Sequence, residues 1–320
     1  MNEPVVSVVI PTYAKAETLV QVIARLEEQD LPRQDFEVVV VDDGSPDDTA
    51  RRMERVAAGS PLTLRYLRQA NSGVSAARNR GVREARAPII LLLQDDILAI
   101  PSLLSRHVRG HRLHPETAAT VSGRVTWPPT WAIDPFMEWI DHGGPQFKYD
   151  EILGKTTIDC RHFYACNVSL KRTALLENPF DEEVVYGWED TELADRLEER
   201  GYTFYFDEQA VGYHHHRRGF GDFLKRQFAA GRSLYFARKN NPRFAAHLDV
   251  PRLSAARRAR TVARGLLLPL YERMGARRPM QKFWRARLDA AVARGYHAAQ
   301  RQDRRAGALP SSRSGPRLIV

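Results

Sequence analysis

Residues Ile89–Leu93 read IILLL and are followed at once by Gln94-Asp95-Asp96. An apolar run with no polar alternation suits a strand covered on both faces, as in a parallel sheet flanked by helices. Three further segments read as strands: the β-branched run Val5–Ile10 ending at Pro11, Phe36–Val41 (FEVVVV), and the short Leu64–Leu67. Between them lie helical patterns. Leu19, Val22, Ile23 and Leu26 recur at spacings of three and four, and Ser72–Ala85 is rich in Ala and Arg. Ser45-Pro46-Asp47-Asp48 reads as a helix start, with Ser45 as N-cap and Pro46 in the first helical position. Strand and helix in alternation predict right-handed βαβ units in a Rossmann-like, mostly parallel α/β sheet with helices on both faces.

The middle of the chain is less regular. Residues 124–160 hold Trp127, Pro128, Pro129, Trp131, Trp139 and Gly143-Gly144 and read as a loop-rich insertion with one short helix, of the kind that forms a binding loop or lid. Glu189–Arg200 reads as a helix stopped by Gly201, and Thr203–Asp207 as a strand. Beyond about residue 240, Arg and Ala dominate, placing a boundary between residues 1–240 and a basic helical extension, 241–320, whose last ten residues are expected to fray.

Charge follows the same division. The 320-residue chain carries a formal +9, but residues 251–320 hold 17 Arg and Lys against 3 Asp and Glu. The rest is net acidic, so the basic surplus belongs to the extension. Cys160 and Cys166 are the only cysteines, which excludes a tetra-thiolate zinc site and a disulfide framework and suits reduced thiols. No apolar stretch approaches the length of a membrane span, and the N-terminus lacks a basic signal region. A cytoplasmic protein is expected.

Acidic and polar clusters fall where strands end, the place where open α/β sheets bind ligands. Pro11-Thr12-Tyr13 follows the first strand and Asp42-Asp43-Gly44-Ser45 the second. Asp42 and Asp43 can accept hydrogen bonds from a base or ribose, or simply shape the turn. Asp95 and Asp96 at the mouth of a buried strand are costly without a partner, and a divalent cation bridging to phosphate is the natural one. Glu189 and Asp190 open a helix, where the dipole favours the anion. One could act as a general base. In Tyr213-His214-His215-His216-Arg217, strand geometry would put His214 and His216 on one face, and neutral imidazole suits a manganese-type ion.

Taken in order, VSVVIPTY, VVVVDDGS, NSGVSAARNRG, IILLLQDD, ACNVSLKR, GWEDTELADRLEERG and YHHH resemble the family 2 glycosyltransferases of GT-A fold over residues 5–240. The resemblance implies an inverting transfer from a nucleotide-diphosphate sugar to a hydroxyl, assisted by Mg²⁺ or Mn²⁺, in cell-surface glycan or glycolipid synthesis. It implies that Pro11, Thr12, Tyr13, Asp42 and Asp43 hold the nucleoside, that Arg78 contacts the pyrophosphate, and that Asp95 and Asn167 touch the ribose or donor sugar. It also implies that Asp96 binds the metal with one of His214–His216, His214 and His216 being the candidates, and that Asp190 is the base beside Glu189 on the acceptor. Gln94 stands where the family's acidic run usually begins. The competing readings are a degenerate sugar-nucleotide binder or scaffold and a nucleotidyltransferase.

The acceptor would be a glycan or a lipid-linked saccharide, met by the 124–160 insertion. In residues 252–305, arginines including Arg252, Arg257, Arg258 and Arg260 interleave with Leu266, Leu267, Leu268, Leu270, Tyr271, Phe283 and Trp284. That pattern suits a helix on the anionic cytoplasmic face of a membrane, against a solvated helical appendage or an oligomer contact. Nucleic acid is disfavoured because no recognition motif is present.

Overall fold

The computed structural model describes residues 3–184, 187–240, 249–251 and 254–307. The chain divides into two compact units between Gly219 and Phe220.

The first unit is built on one nine-stranded sheet. Its strands are β1 (Val6–Thr12), β2 (Phe36–Asp42), β3 (Thr63–Arg68), β4 (Ile89–Leu93), β5 (Ile97–Ala99), β6 (Ala119–Thr126), β7 (Thr157–Ile158), β8 (Asn167–Lys171) and β9 (Thr203–His214). The order is β3-β2-β1-β4-β8-β6-β9-β5, with β7 paired to β9. The first four strands are parallel, as their continuous apolar runs predict. Beyond β4 the sheet is mixed: β8 runs antiparallel to β4 and β6, and β5 and β7 run antiparallel to β9.

Helices α1 (Ala16–Glu27), α2 (Thr49–Gly59), α3 (Val74–Glu84), α4 (Leu103–Leu113), α5 (Pro135–Asp141), α6 (Arg172–Glu177) and α7 (Glu189–Glu199) accompany the sheet. Alternation along the strands feeds two cores. Val8, Ile10, Val38, Val40, Leu91 and Leu93 pack with Leu19, Val22, Ile23 and Leu26 of α1 and with Leu103 and Leu104 of α4. Val9, Val39, Val41, Ile90 and Leu92 pack on the other face with Ala77 and Val82 of α3 and Leu193 and Leu197 of α7. Each such side chain contributes about 1.5–3 kcal/mol by leaving water. Gly81 lets α3 sit this close, since a Cβ there would lie 2.3 Å from a Val9 methyl.

Two expectations change. Ser45 does not cap a helix. α2 begins at Thr49, and the Ser45 amide and hydroxyl both donate to Asp42 Oδ1, at 2.8 and 2.6 Å. The carboxylate captures the groups that would have started the helix. The strand at Thr203 also runs on to His214, past an irregularity opposite Gly123 and Arg124.

The second unit contains α8 (Phe220–Asn240), α9 (Ala255–Leu266), α10 (Leu268–Arg273) and α11 (Arg277–Gly307). Composition shifts near residue 240, but α8 belongs with the helices that follow it. A Cβ on Gly231 would lie 2.0 Å from the Val292 carbonyl oxygen, and one on Gly295 2.0 Å from that of Phe228, so glycines let α8 and α11 meet closely. Tyr235 and Lys239 of α8 both donate to Asp303, each at 2.7 Å. Phe283 and Trp284, expected on a lipid-facing surface, are buried within this unit. Arg252 and the last ten residues lie outside the described residues. No described helix is long and apolar enough to cross a membrane.

Candidate active site

The carboxyl ends of β1 and β4 bring Thr12 and Asp95 together, with the Thr12 hydroxyl donating to Asp95 Oδ2 at 2.8 Å. Tyr13 follows at the surface. Pro11 stays inside β1, buried and in register with Val41. Burial and then the neighbouring Asp96 charge push Asp95 up to about 7.

Asp96 is placed by strand pairing. β5 begins one residue later, and its Ile97 pairs with His214 of β9, so Asp96 meets the end of that strand. The His215 amide donates to the Asp96 carbonyl at 2.7 Å, and His214 Nε2 stands 3.6 Å from Asp96 Oδ2. Lys15 Nζ reaches the same oxygen at 2.8 Å. Burial works against the Asp96 charge, but His214 and then Lys15 outweigh it and hold the carboxyl well below its ordinary range. Burial likewise works against the Lys15 ammonium, and Asp96 and Asp95 outweigh it. Asp96 Oδ1 is buried and has no hydrogen-bond partner.

An orphaned carboxylate oxygen beside an imidazole fits a hard or borderline divalent cation. Asp96 and His214 would supply two ligands. Among the described residues no group of three or more His, Cys, Asp and Glu side chains forms a closed site. His216 lies beyond β9, which ends at His214, with the two ring centroids 6.3 Å apart. Burial and then Arg218 push His216 down to about 4, so it remains neutral.

The 124–160 segment folds against these histidines. Trp127 stacks on His214 with ring centroids 5.3 Å apart, Trp131 contacts His215 at 5.2 Å, and Gln146 Nε2 lies 3.4 Å from His214 Nδ1. Asp141, at the end of α5, is buried with Oδ1 unpaired, and burial pushes it well above the carboxylate range despite Arg124 and Arg218.

The second acidic pair sits at the start of α7. Glu189 accepts from Arg78 at 3.0 Å and from the Gly187 amide at 2.6 Å. Burial opposes its charge, but Arg78 prevails and keeps Glu189 below the usual range. Asp190 is only partly buried and accepts from the Thr191 amide at 2.8 Å. Burial and then the Glu189 charge push it up to about 6. Cys166 is buried, and its thiol is pushed up to about 12, by burial first and then by the charges of Asp190 and Asp96. Both cysteines are free thiols.

Several expected contacts are differently employed. Arg78 is 2% exposed and bound to Glu189 and the Ala165 carbonyl, with Phe180 beneath its guanidinium. Asn167 is equally enclosed, bonded to His107 and to the carbonyls of Arg124 and Ala210. Asp42 is fully buried, accepting from Ser45 and from the Tyr66 hydroxyl. Asp43 accepts from Gln69 and from the amides of Ser72 and Gly73, fixing the loop that enters α3. Both aspartates brace the loops that follow β2 and enter α3. Lys15, Trp127, Asp141 and Cys166 were not anticipated as site residues. Lys15 alone had a local signal, lying three positions after Thr12 in the same loop.

Comparison with known proteins places the chain in a family and a fold. A family model described as Glycosyl transferase family 2 matches residues 7–175, just over half of the chain. The chain is 27% identical over 255 residues to an uncharacterized glycosyltransferase of Bacillus subtilis, covering 65% of this chain and 64% of that protein. It is 31% identical over 236 residues to validoxylamine A glucosyltransferase of Streptomyces hygroscopicus subsp. jinggangensis, covering 65% and 55%. The chain thus spans less than two thirds of the length of these relatives. In fold it is similar to a mannosyltransferase of Pyrobaculum calidifontis solved with GDP-Man and Mn²⁺, with TM-score 0.57, 20% identity and coverage of 97% and 78%. It is likewise similar to TarS 1-349 of Staphylococcus aureus solved with UDP, with TM-score 0.53, 17% identity and coverage of 93% and 91%.

Proposed function

The chain belongs to glycosyl transferase family 2, and we propose that it transfers a sugar, with inversion, from a nucleoside-diphosphate donor to a hydroxyl of a glycan or lipid-linked acceptor. One observation carries this reading: Asp95 and Asp96 follow β4 while Glu189 and Asp190 open α7, and each pair joins an ionised carboxylate to one of raised proton affinity. Asp96 is held ionised beside His214 and Lys15, while Asp190 is held near neutral pH and partly open to solvent.

The roles divide accordingly. Thr12, Tyr13 and Asp95 line the donor side, with Asp42 and Asp43 shaping its walls. Lys15 offers an ammonium to the diphosphate oxygens. Asp96 and His214 would hold Mg²⁺ or Mn²⁺, which when bound supplies positive charge against the leaving diphosphate. Asp190 takes the proton from the acceptor hydroxyl as its oxygen attacks the anomeric carbon from the face opposite the diphosphate. Glu189, fixed by Arg78, remains an anion and raises the proton affinity of Asp190. The aromatic 124–160 segment over His214 and His215 stands on the acceptor side. Relatives support the donor class, since the neighbours were solved with UDP and GDP-Man.

A thermal-shift screen of UDP-, GDP- and dTDP-sugars with and without Mn²⁺ tests the reading, because a ligand that binds only the folded state raises Tm. A metal-dependent rise with one donor class, followed by release of its nucleoside diphosphate, is expected. No shift with any donor would overturn it.

A further inference from the structure

We infer that the outer face of α9 and α10 is a docking surface for an anionic lipid bilayer. α9 turns one side toward α11: Arg257 pairs with Asp289, and a Cβ on Gly265 would lie 3.1 Å from the Phe283 ring. The opposite side is apolar and lies in water. Val262 is 64% exposed and Leu266 79%, one helical turn apart. The same spacing continues through Leu270 at 49% to Met274 at 69%. Ala259 and Ala263 between them are exposed as well, and neither α9 nor α10 contains a buried residue. Contiguous apolar surface of this kind marks an interaction site.

Charge chooses the occupant. At 100° per residue, Arg258 lies beside Val262 at one edge of the exposed face and Arg260 lies beyond Ala263 at the other. Residues 254–278 hold seven arginines and a single acid, Glu272. A second copy packed face to face would set arginine borders against arginine borders, which disfavours self-association. A bilayer of anionic lipid accepts both features, taking the leucines into the acyl boundary and pairing the guanidinium groups with phosphate. Phe283 and Trp284 take no part, because they are buried. The lipid-facing element is therefore narrower than the whole basic extension.

The test is sedimentation of the full chain with vesicles of phosphatidylcholine alone and of phosphatidylcholine mixed with phosphatidylglycerol. Binding to the mixed vesicles that weakens with salt is expected. The pair Arg258→Gln with Arg260→Gln should weaken it about 30-fold, from roughly 1 kcal/mol per arginine. The pair Leu266→Gln with Leu270→Gln should weaken it by at least about tenfold. All four residues are exposed, so unchanged thermal unfolding is expected and separates lost docking from lost folding. No binding to mixed vesicles, or full binding by both double variants, overturns the inference. So does sedimentation velocity showing a dimer that the leucine variant dissociates while vesicles capture neither form, since the face then belongs to a second copy.

Discussion

Arg78 and Glu189, 111 positions apart, meet in an ion pair of 3.0 Å in which both side chains are buried. Removing one partner of such a pair leaves the other as an uncompensated buried charge. Arg78→Met should therefore cost about 3–5 kcal/mol in urea unfolding. Combining it with Glu189→Leu should recover most of that loss, because no charge is then stranded. Equal destabilisation by the single and double variants would show that Arg78 acts by packing on Phe180 instead.

Asp190 should set the acid limb of the pH–rate profile. Burial and the Glu189 anion raise it to about 6, and a base must be ionised to accept a proton. Turnover should thus climb with pH through about 6 and level off above it. Glu189→Gln removes one cause of the rise, so the limb should move to lower pH, whereas Arg78→Met removes an opposing cation and should move it higher. Asp190→Asn should lower turnover by about 10²–10⁴ with donor affinity unchanged. A profile that ignores these three changes would place the base elsewhere.

The parts of this site that are local in sequence were legible, and those made by long-range packing were not. IILLLQDD announces a buried strand followed by carboxylates because the change from apolar to acidic is written in consecutive residues. The structure has that strand, and it buries Asp95 and Asp96 as well. Strand periodicity from Asp207 could not show that β9 runs on to His214, because an irregularity opposite Gly123 and Arg124 interrupts the pattern. Arg78 is expected at the pyrophosphate through the family resemblance, and its own neighbours in sequence do not show its partner. Only the fold places Glu189 against it. The partners of Asn167 are equally distant in sequence, lying on α4, β6 and β9. Phe283 and Trp284 resemble membrane anchors until α11 turns them inward.

The same Asn167 network predicts acid sensitivity. His107 bridges Ser169 and Asn167 at 2.9 Å each, and burial pushes it down to about 4. Above pH 6.5 the ring is neutral whether folded or unfolded, and this stability is fully present. As pH falls from 6.5 toward 4 the unfolded chain takes up a proton that the folded one refuses. About 3 kcal/mol should be lost over that window. His107→Gln keeps hydrogen-bonding groups but does not titrate, so its Tm should fall less steeply across the same range. Parallel Tm slopes for the two proteins would exclude His107 as the cause.

Asp96 should separate metal-dependent from metal-independent donor binding. Its Oδ1 is buried without a partner, while Oδ2 already faces Lys15 and His214. Asp96→Asn keeps the shape but removes the charge that a divalent ion needs. Loss of groups that merely support metal ligands costs about 10–100-fold in affinity, and loss of a direct ligand should cost at least that. By calorimetry, Mn²⁺ should strengthen donor binding to the parent protein and leave Asp96→Asn unaffected. Lys15→Met tests the other half of the arrangement. It removes a cation competing for Oδ2 but also one proposed to face the diphosphate. Mn²⁺ alone should then bind more tightly while the donor in EDTA binds more weakly. A variant that loses neither would show that Lys15 only neutralises the two aspartates.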